Sequence, residues 1–149
     1  MYFIDRNKIN QTLNHMEELL TLYENKEDWK ESLIESLALA RLTHVIVESM
    51  IDVGNTMIDG FIMRDPGGYE DIIDIMDDEQ VITQEMSDPL KHVIGLRKMI
   101  VRDFINVDIN LIENVLNESM GSLLAFPESV RHYLENELGP VSAFLPADE

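Results

Sequence analysis

The stretch LALARLTHVIVESMIDVGNTMI, residues 37–58, carries apolar residues at helical spacing and contains no proline. An α-helix returns to the same side every 3.6 residues, so positions three, four or seven apart share a face. The residues that form one broad apolar face here are Leu37, Ala40, Val47, Met50 and Ile51. The pattern predicts a long second helix that begins at Trp29 and ends at about Asp59.

The same periodicity extends through the rest of the chain. It predicts a first helix at residues 6–24 and further helices at 69–82, 89–105, 108–124 and 127–137. The polar and Pro–Gly breaks between these segments are too short to divide the chain into two domains. The sequence therefore predicts one all-α domain over residues 1–149, an antiparallel helical bundle of four to five main helices.

Five residues set expected helix boundaries. Pro89 is expected in the first turn of the fourth helix, where its missing N–H would have no intrahelical partner. Asp108 is expected to cap the fifth helix, because a carboxylate accepts hydrogen bonds from the free N–H groups of a first turn. Pro127 is expected to restart the chain as a short helix, which Gly139 and Pro140 then end.

The composition limits the classes of function. The chain has 29 Asp and Glu residues against 11 Lys and Arg, so its field on average repels nucleic acid and anionic membranes. Residues 91–102, KHVIGLRKMIVR, are a local exception with four basic residues, one histidine and no acid. The absence of cysteine excludes disulfides and thiolate metal sites. Without a visible signal peptide or membrane-spanning run, we expect a cytoplasmic protein that does not bind membranes.

A line of polar residues follows one side of the predicted second helix at spacings of three and four. This polar line consists of Arg41, His44, Glu48, Asp52, Asn55 and Asp59. It is either a solvated face or the wall of a groove or partner contact. His44 and Glu48 alone supply two ligands, fewer than the three of a catalytic zinc site, so no metal is predicted.

The predicted fourth helix carries the opposite charge. Lys91, Lys98 and Arg102 are expected to share one of its faces, and Arg97 lies beside that face. Two interpretations stay open: acids of the polar line pair with these cations and hold the helices together, or the cations bind an anion. The pairs expected if the two helices are neighbours are those of Glu48 or Asp52 with Arg97 or Arg102.

Three stretches, taken in order, resemble the HepT-like family of the HEPN ribonuclease-toxin superfamily, and the resemblance spans about residues 8–137. Residues 37–58 are similar to that family's long helix, with the pattern E-x-x-I-D-x-G. Residues 64–82, RDPGGYEDIIDIMDDEQVI, resemble its Pro-x-x-Tyr loop and short helix. Residues 95–108, GLRKMIVRDFINVD, resemble the helix that carries R-N-x-x-V-H-x-Y. The stretches MYFIDR, GNTMIDGFIMRDPG and ELGPVSAFLP are similar to the YutE-type branch in Firmicute bacteria.

The resemblance implies a HEPN-type helical bundle that forms a homodimer, with the basic motifs of both subunits lining a shared cleft. It also implies metal-independent RNA cleavage without a cofactor. In that chemistry the motif arginine stabilises the charged phosphate and the motif histidine transfers protons. Many members act beside a nucleotidyltransferase-type antitoxin, which attaches AMP to the motif tyrosine. A similar antitoxin and an RNA or phosphate ligand are therefore the expected partners.

The match to the family motif is partial. Arg97 stands at the position of the motif arginine, whereas Lys98, Arg102 and Phe104 replace its asparagine, histidine and tyrosine. An arginine side chain stays protonated near neutral pH and cannot transfer protons as histidine does. The first hypothesis is therefore a dimeric RNA-binding, phosphate-binding or interaction protein with degenerate catalysis. The alternative is an active nuclease toxin in which His92 or His44 replaces the missing base.

Overall fold

The protein is described by a computed structural model that covers residues 3–139. These residues form helices and no strand, which confirms the predicted all-α fold. The helices are α1 (Arg6–Asn25), α2 (Leu33–Gly60), α3 (Tyr69–Asp78), α4 (Gln84–Gly95), α5 (Arg97–Val101) and α6 (Ile109–Leu138). None of the helices within the described range is long and apolar enough to cross a membrane. The predicted 1–149 domain also contains residues 1–2 and 140–149, which lie outside that range.

Side-chain caps fix where three of the helices begin. Asp5 accepts a hydrogen bond from the backbone N–H of Lys8 at the start of α1. Ser32 accepts one from Ile34 at the start of α2. Asp108 accepts one from Leu111, 3.1 Å away, at the start of α6. The predicted cap at Asp108 is therefore confirmed, and each cap satisfies an N–H group that has no partner inside its helix.

The core lies between antiparallel helices. Ile4, just before α1, packs on Gly60 at the end of α2, and Tyr23 near the end of α1 donates a hydrogen bond to Asn117 of α6. These contacts show that α1 runs antiparallel to both α2 and α6. The largest fully buried side chains come from α1, α2, α3 and α6 and include Leu13, Met16, Ile46, Met50, Ile72 and Phe126.

The predicted start of the second helix is wrong by four residues. Trp29 lies in the link between α1 and α2, and α2 begins at Leu33. The indole is nevertheless buried, since it stacks on Tyr23 of α1 with ring centroids 6.0 Å apart. Trp29 is therefore a core residue of the link and not part of the first turn of α2. Hydrophobic periodicity alone does not distinguish these two positions.

The predicted fourth helix is two helices. It starts earlier than expected, at Gln84, so that Pro89 lies inside α4 and not in its first turn. The lost hydrogen bond is offset by burial of the neighbouring Leu90 and Val93. At the other end the backbone N–H of Leu96 bonds to the carbonyl of Val93, a tighter turn that separates α4 from α5.

The predicted break at Pro127 is also wrong, because α6 continues through this residue to Leu138. Pro127 lacks the N–H that would bond to the carbonyl four residues earlier. The apolar stripe nevertheless continues, and Phe126, Val130 and Leu134 are all buried. Their burial outweighs one hydrogen bond. Gly139 ends the helix with a φ of 80°, as predicted, while Pro140 lies outside the described residues.

Close contact between α2 and α3 requires a glycine at position 54. A Cβ atom there would lie 2.3 Å from Cγ2 of Ile72 and 3.4 Å from Sδ of Met76. We expect Gly54→Ala to lower the free energy of unfolding by about 1–2 kcal/mol, because overpacking exceeds the helix propensity gained with alanine. Urea unfolding followed by circular dichroism measures the change.

Gly121 of α6 provides the matched control, since a Cβ atom added there would meet nothing within 4 Å. Gly121→Ala is expected to raise the free energy of unfolding by about 0.5–1 kcal/mol through helix propensity alone. Equal effects of the two substitutions would contradict the close approach of α2 and α3 at Gly54.

Candidate functional site

The site begins with a contact between α2 and α5. Nε of Arg97 donates a hydrogen bond of 2.7 Å to Oε1 of Glu48, which confirms the predicted pairing of these two residues. The hydrogen bond with Glu48 raises the pKa of Arg97 above its ordinary value. Both side chains are partly exposed, so the pair lies at the surface and orients the guanidinium without removing it from solvent.

A second contact fixes the plane of the same guanidinium. Cζ of Arg97 lies 4.5 Å from the ring centroid of Tyr69, the first residue of α3. A cation over an aromatic face is attracted by the negative charge of the ring's π-electrons. Sequence reasoning did not identify this role of Tyr69, although the signal was present in the Pro-x-x-Tyr loop. Arg97 is therefore held by α2 on one side and by α3 on the other.

His44 belongs to the same network. Its Nε2 lies 3.5 Å from Oε1 of Glu48, the oxygen that also binds Arg97. Its Nδ1 lies 3.4 Å from Nη1 of Arg41. An arginine can only donate, so these contacts assign the acceptor role to Nδ1 and place the proton of the neutral ring on Nε2. Both ring nitrogens are thus engaged within the polar line.

The polar line divides into two parts. Arg41, His44 and Glu48 form the network that reaches Arg97. Asp52 does not pair with Arg97 or Arg102 as the alternatives proposed; its carboxylate lies 3.9 Å from Nζ of Lys8 on α1. The partner differs because the exposed start of α1, and not α5, passes this level of α2. The remaining members, Asn55 and Asp59, are exposed.

The predicted basic face is also divided. Lys91 lies on α4, where its Nζ bonds to Asp74 of α3 at 2.9 Å and lies 3.8 Å from Asp88. The hydrogen bond with Asp74 raises the pKa of Lys91 above its ordinary value. The helix is interrupted at Leu96, so Lys91 and the two later cations do not lie on one continuous helix as predicted, and Lys91 pairs with acids of α3 and α4.

The two other cations remain available. Lys98 and Arg102 are exposed, and within residues 3–139 the side chain of neither makes a hydrogen bond or ion pair. Arg102 follows α5, where its backbone N–H bonds to the carbonyl of Lys98. It lines an open groove of about 640 Å³, here named the Arg102 groove. The residues that line this groove are Met99, Arg102, Asp103, Phe104, Ile105 and Asn106.

The two candidate substitute bases are placed differently. His44 shares Glu48 with Arg97, as described above. His92 is exposed on α4, before the turn at Leu96, and no hydrogen bond or ion pair in the described part of the chain joins it to Arg97. Across residues 3–139, no three His, Asp or Glu side chains are grouped closely enough to hold a metal ion.

The arrangement is that of an all-α bundle in which a long helix with a polar line faces a short, arginine-bearing helix. The model of the HepT-like ribonuclease family matches residues 9–130, and the chain belongs to this family.

The similarity of the chain to individual proteins agrees with this family. The chain is 47% identical over 144 residues to the Bacillus subtilis protein YutE, which is provisionally named an RNase, with 97% of this chain and 99% of the relative covered. The solved structure of YutE, described as a cytosolic protein of unknown function, matches with a TM-score of 0.92 and covers 97% of this chain. All of the YutE chain in that structure is matched.

A more distant structure shares the fold alone. It is a tri-AMPylated HEPN toxin of Shewanella oneidensis in complex with an MNT antitoxin, and it is 20% identical with a TM-score of 0.70. The match covers 89% of this chain and 99% of the toxin. The HEPN-type bundle expected from the sequence is therefore confirmed.

Proposed function

We propose that this protein is a dimeric, phosphate- and RNA-binding member of the HepT-like family in which the catalytic proton carrier is absent. The proposal rests on the position and the surroundings of the Arg102 side chain. This residue replaces the family histidine, it is exposed, and within residues 3–139 its guanidinium has no acidic partner. A guanidinium binds phosphate strongly but keeps its proton throughout the physiological pH range.

Arg97 supports phosphate binding through its geometry. Its Nε is occupied by Glu48, and no hydrogen bond from its two Nη atoms occurs among the described residues. These atoms form the planar edge that arginine offers to two phosphate oxygens at once. Because Glu48 and Tyr69 already orient the guanidinium, less conformational entropy is lost when the anion binds. Lys98 and Arg102 add two further charges on the same short segment.

The dimer is supported by an exposed apolar surface at the start of α2. Leu33, Ile34 and Leu37 are 72%, 76% and 62% exposed, although they precede the most buried part of the same helix. Large apolar side chains grouped at the surface are typical of protein–protein contacts. A second copy of the chain is the occupant that the family fold suggests, and it would bring two basic segments into one assembly.

A nucleotidyltransferase-type antitoxin is a proposed partner by analogy with the Shewanella oneidensis complex. Phe104 has no hydroxyl group, so AMP cannot be attached at the position of the motif tyrosine. An antitoxin of this chain would therefore act by binding or by modification of another residue.

The alternative function is a metal-independent nuclease that uses His44 or His92. One observation favours His44 over His92, namely the oxygen of Glu48 that His44 shares with Arg97. The contacts of both ring nitrogens count against His44 as a base, since the one lone pair of the neutral ring, on Nδ1, faces Arg41, and Nε2 faces Glu48.

RNA binding and RNA cleavage, measured separately, test the proposal. We expect the full-length protein to bind 5′-labelled RNA in a fluorescence anisotropy titration and to leave it intact in EDTA. Arg97→Ala should weaken binding by about 10–100-fold, the effect of one lost charge-assisted hydrogen-bonding group. Inorganic phosphate should compete with the RNA, and light scattering should give the mass of a dimer.

Arg131→Ala is the matched control, because it removes the same charge from an arginine that pairs with Glu17 and Asn14 on α1, away from α5. It should leave RNA binding unchanged. Robust cleavage of RNA by the unmodified protein in EDTA would overturn the proposal, and loss of that cleavage in His44→Ala would establish the alternative.

A further inference from the structure

The side chain of Phe104 is unusually exposed for a large aromatic residue. It lies two residues beyond Arg102, 67% of its surface is accessible, and it lines the Arg102 groove. The backbone that carries it is a hydrogen-bonded turn. The N–H of Asp103 bonds to the carbonyl of Lys98, and the N–H of Asn106 bonds to the carbonyl of Asp103. The ring is therefore presented by an ordered segment.

The Arg102 groove combines two kinds of chemistry. Phe104, Ile105 and Met99 supply apolar and aromatic surface, while Arg102 and Asp103 supply one charge of each sign. The guanidinium of Arg102 makes no ion pair within residues 3–139, so it is available to an anion. A volume of about 640 Å³ lies within the range of small-molecule sites, so the groove can accept a ligand of nucleotide size. A nucleotide has the matching pair of properties: a flat base that stacks on an aromatic ring and a phosphate that binds a guanidinium.

We propose that Phe104 is a stacking platform for one unpaired base of a single-stranded RNA, whose phosphates bind Arg97, Lys98 and Arg102. This inference rests on the proposed function and adds the substrate class and a specificity residue. A base inside a duplex is covered on both faces by its neighbours, so only an unstacked base can lie on Phe104. The site therefore selects single strands over duplexes.

Charge distinguishes this groove from a subunit contact. Burying a guanidinium in a subunit contact without an acidic partner is costly. The Arg102 groove contains a guanidinium that has no acidic partner in residues 3–139, which favours a polyanion as its occupant. The exposed start of α2 has a different character, because the three large exposed side chains grouped there are all apolar: Leu33, Ile34 and Leu37. That surface, and not the Arg102 groove, is the apolar contact for a second copy.

Three RNA probes and two variants test the stacking. The probes are a single-stranded oligonucleotide, the corresponding ribose-phosphate chain without bases, and a blunt duplex. Phe104→Leu keeps an apolar side chain but removes the aromatic face, so it should weaken binding of the single strand by about 5- to 100-fold. Its affinity for the base-free chain should stay within about 2-fold of that of the unmodified protein, because phosphate contacts are unchanged.

Phe104→Trp should retain the affinity for the single strand and add a spectroscopic reporter. The introduced indole is expected to lose fluorescence when a base stacks on it. Trp29, the only native tryptophan, is 3% exposed and supplies a constant background. Quenching by the single strand, with no quenching by the base-free chain, is the expected result.

The outcomes separate this inference from the proposed function. If Phe104→Leu binds the single strand as well as the unmodified protein does, while Arg97→Ala has lost affinity, the phosphate site stands and the stacking platform is overturned. If the unmodified protein binds none of the probes, both fail. A halved mass of Phe104→Leu in light scattering would assign Phe104 to the subunit contact and overturn the inference.

Discussion

Arg102→His is expected to raise the rate of RNA cleavage by about 10²–10⁴-fold, the usual contribution of general acid–base catalysis. The substitution replaces a side chain that cannot release its proton with an imidazole that exchanges protons near neutral pH. Position 102 directly follows α5, five residues beyond Arg97, and faces solvent. The imidazole would therefore be accessible to RNA held by Arg97. Single-turnover cleavage of labelled RNA in EDTA measures the gain.

Arg102→Gln is the control for loss of charge, because glutamine removes the cation and supplies no titratable group. It should show no gain in cleavage. The activity of Arg102→His should also change with pH around 6.5, the ordinary pKa of histidine. If Lys98→Asn and Phe104→Tyr, added to Arg102→His, still give no cleavage, the loss of activity has another cause than the missing proton carrier.

Glu48 and Arg97 illustrate how much of the site could be predicted. Their pairing followed from two facts in the sequence: Glu48 belongs to a polar line on a mostly apolar helix, and Arg97 needs a carboxylate when two helices meet. Asp52 has the same charge and lies one helical turn away, yet it faces Lys8. The pairing of acidic and basic residues between two helices depends on where the helices cross. The periodicity of one helix does not contain that information.

The same limit applies to residues on the two sides of a helix interruption. Lys91, Lys98 and Arg102 share a face only if one straight helix carries them all. The helix is interrupted at Leu96, and Lys91 pairs with Asp74 of α3. The contact of Tyr69 with Arg97 is likewise a tertiary contact between α3 and α5, and a loop pattern identified the tyrosine without showing what it touches.

At Pro127, core packing outweighs the local rule that proline interrupts a helix. The sequence suggests a break at Pro127, because proline removes one helical hydrogen bond and its ring crowds the preceding turn. In α6 the break does not occur. Phe126 is fully buried next to the proline, and Val130 is fully buried one turn later. The apolar stripe extends on both sides of Pro127, and the continuous helix buries both parts of it.

Phe126→Ala is therefore expected to lower the free energy of unfolding by about 3–5 kcal/mol, the largest stability effect we expect from a single truncation in this chain. The substitution leaves a cavity in the core and weakens the packing that keeps α6 helical beyond Pro127. Amide hydrogen exchange should consequently increase most in residues 128–138. Leu124→Ala, on an exposed side of the same helix, is the control and should cost less than about 1 kcal/mol. A loss from Phe126→Ala as small as that of the control would mean that another contact holds α6 together across Pro127.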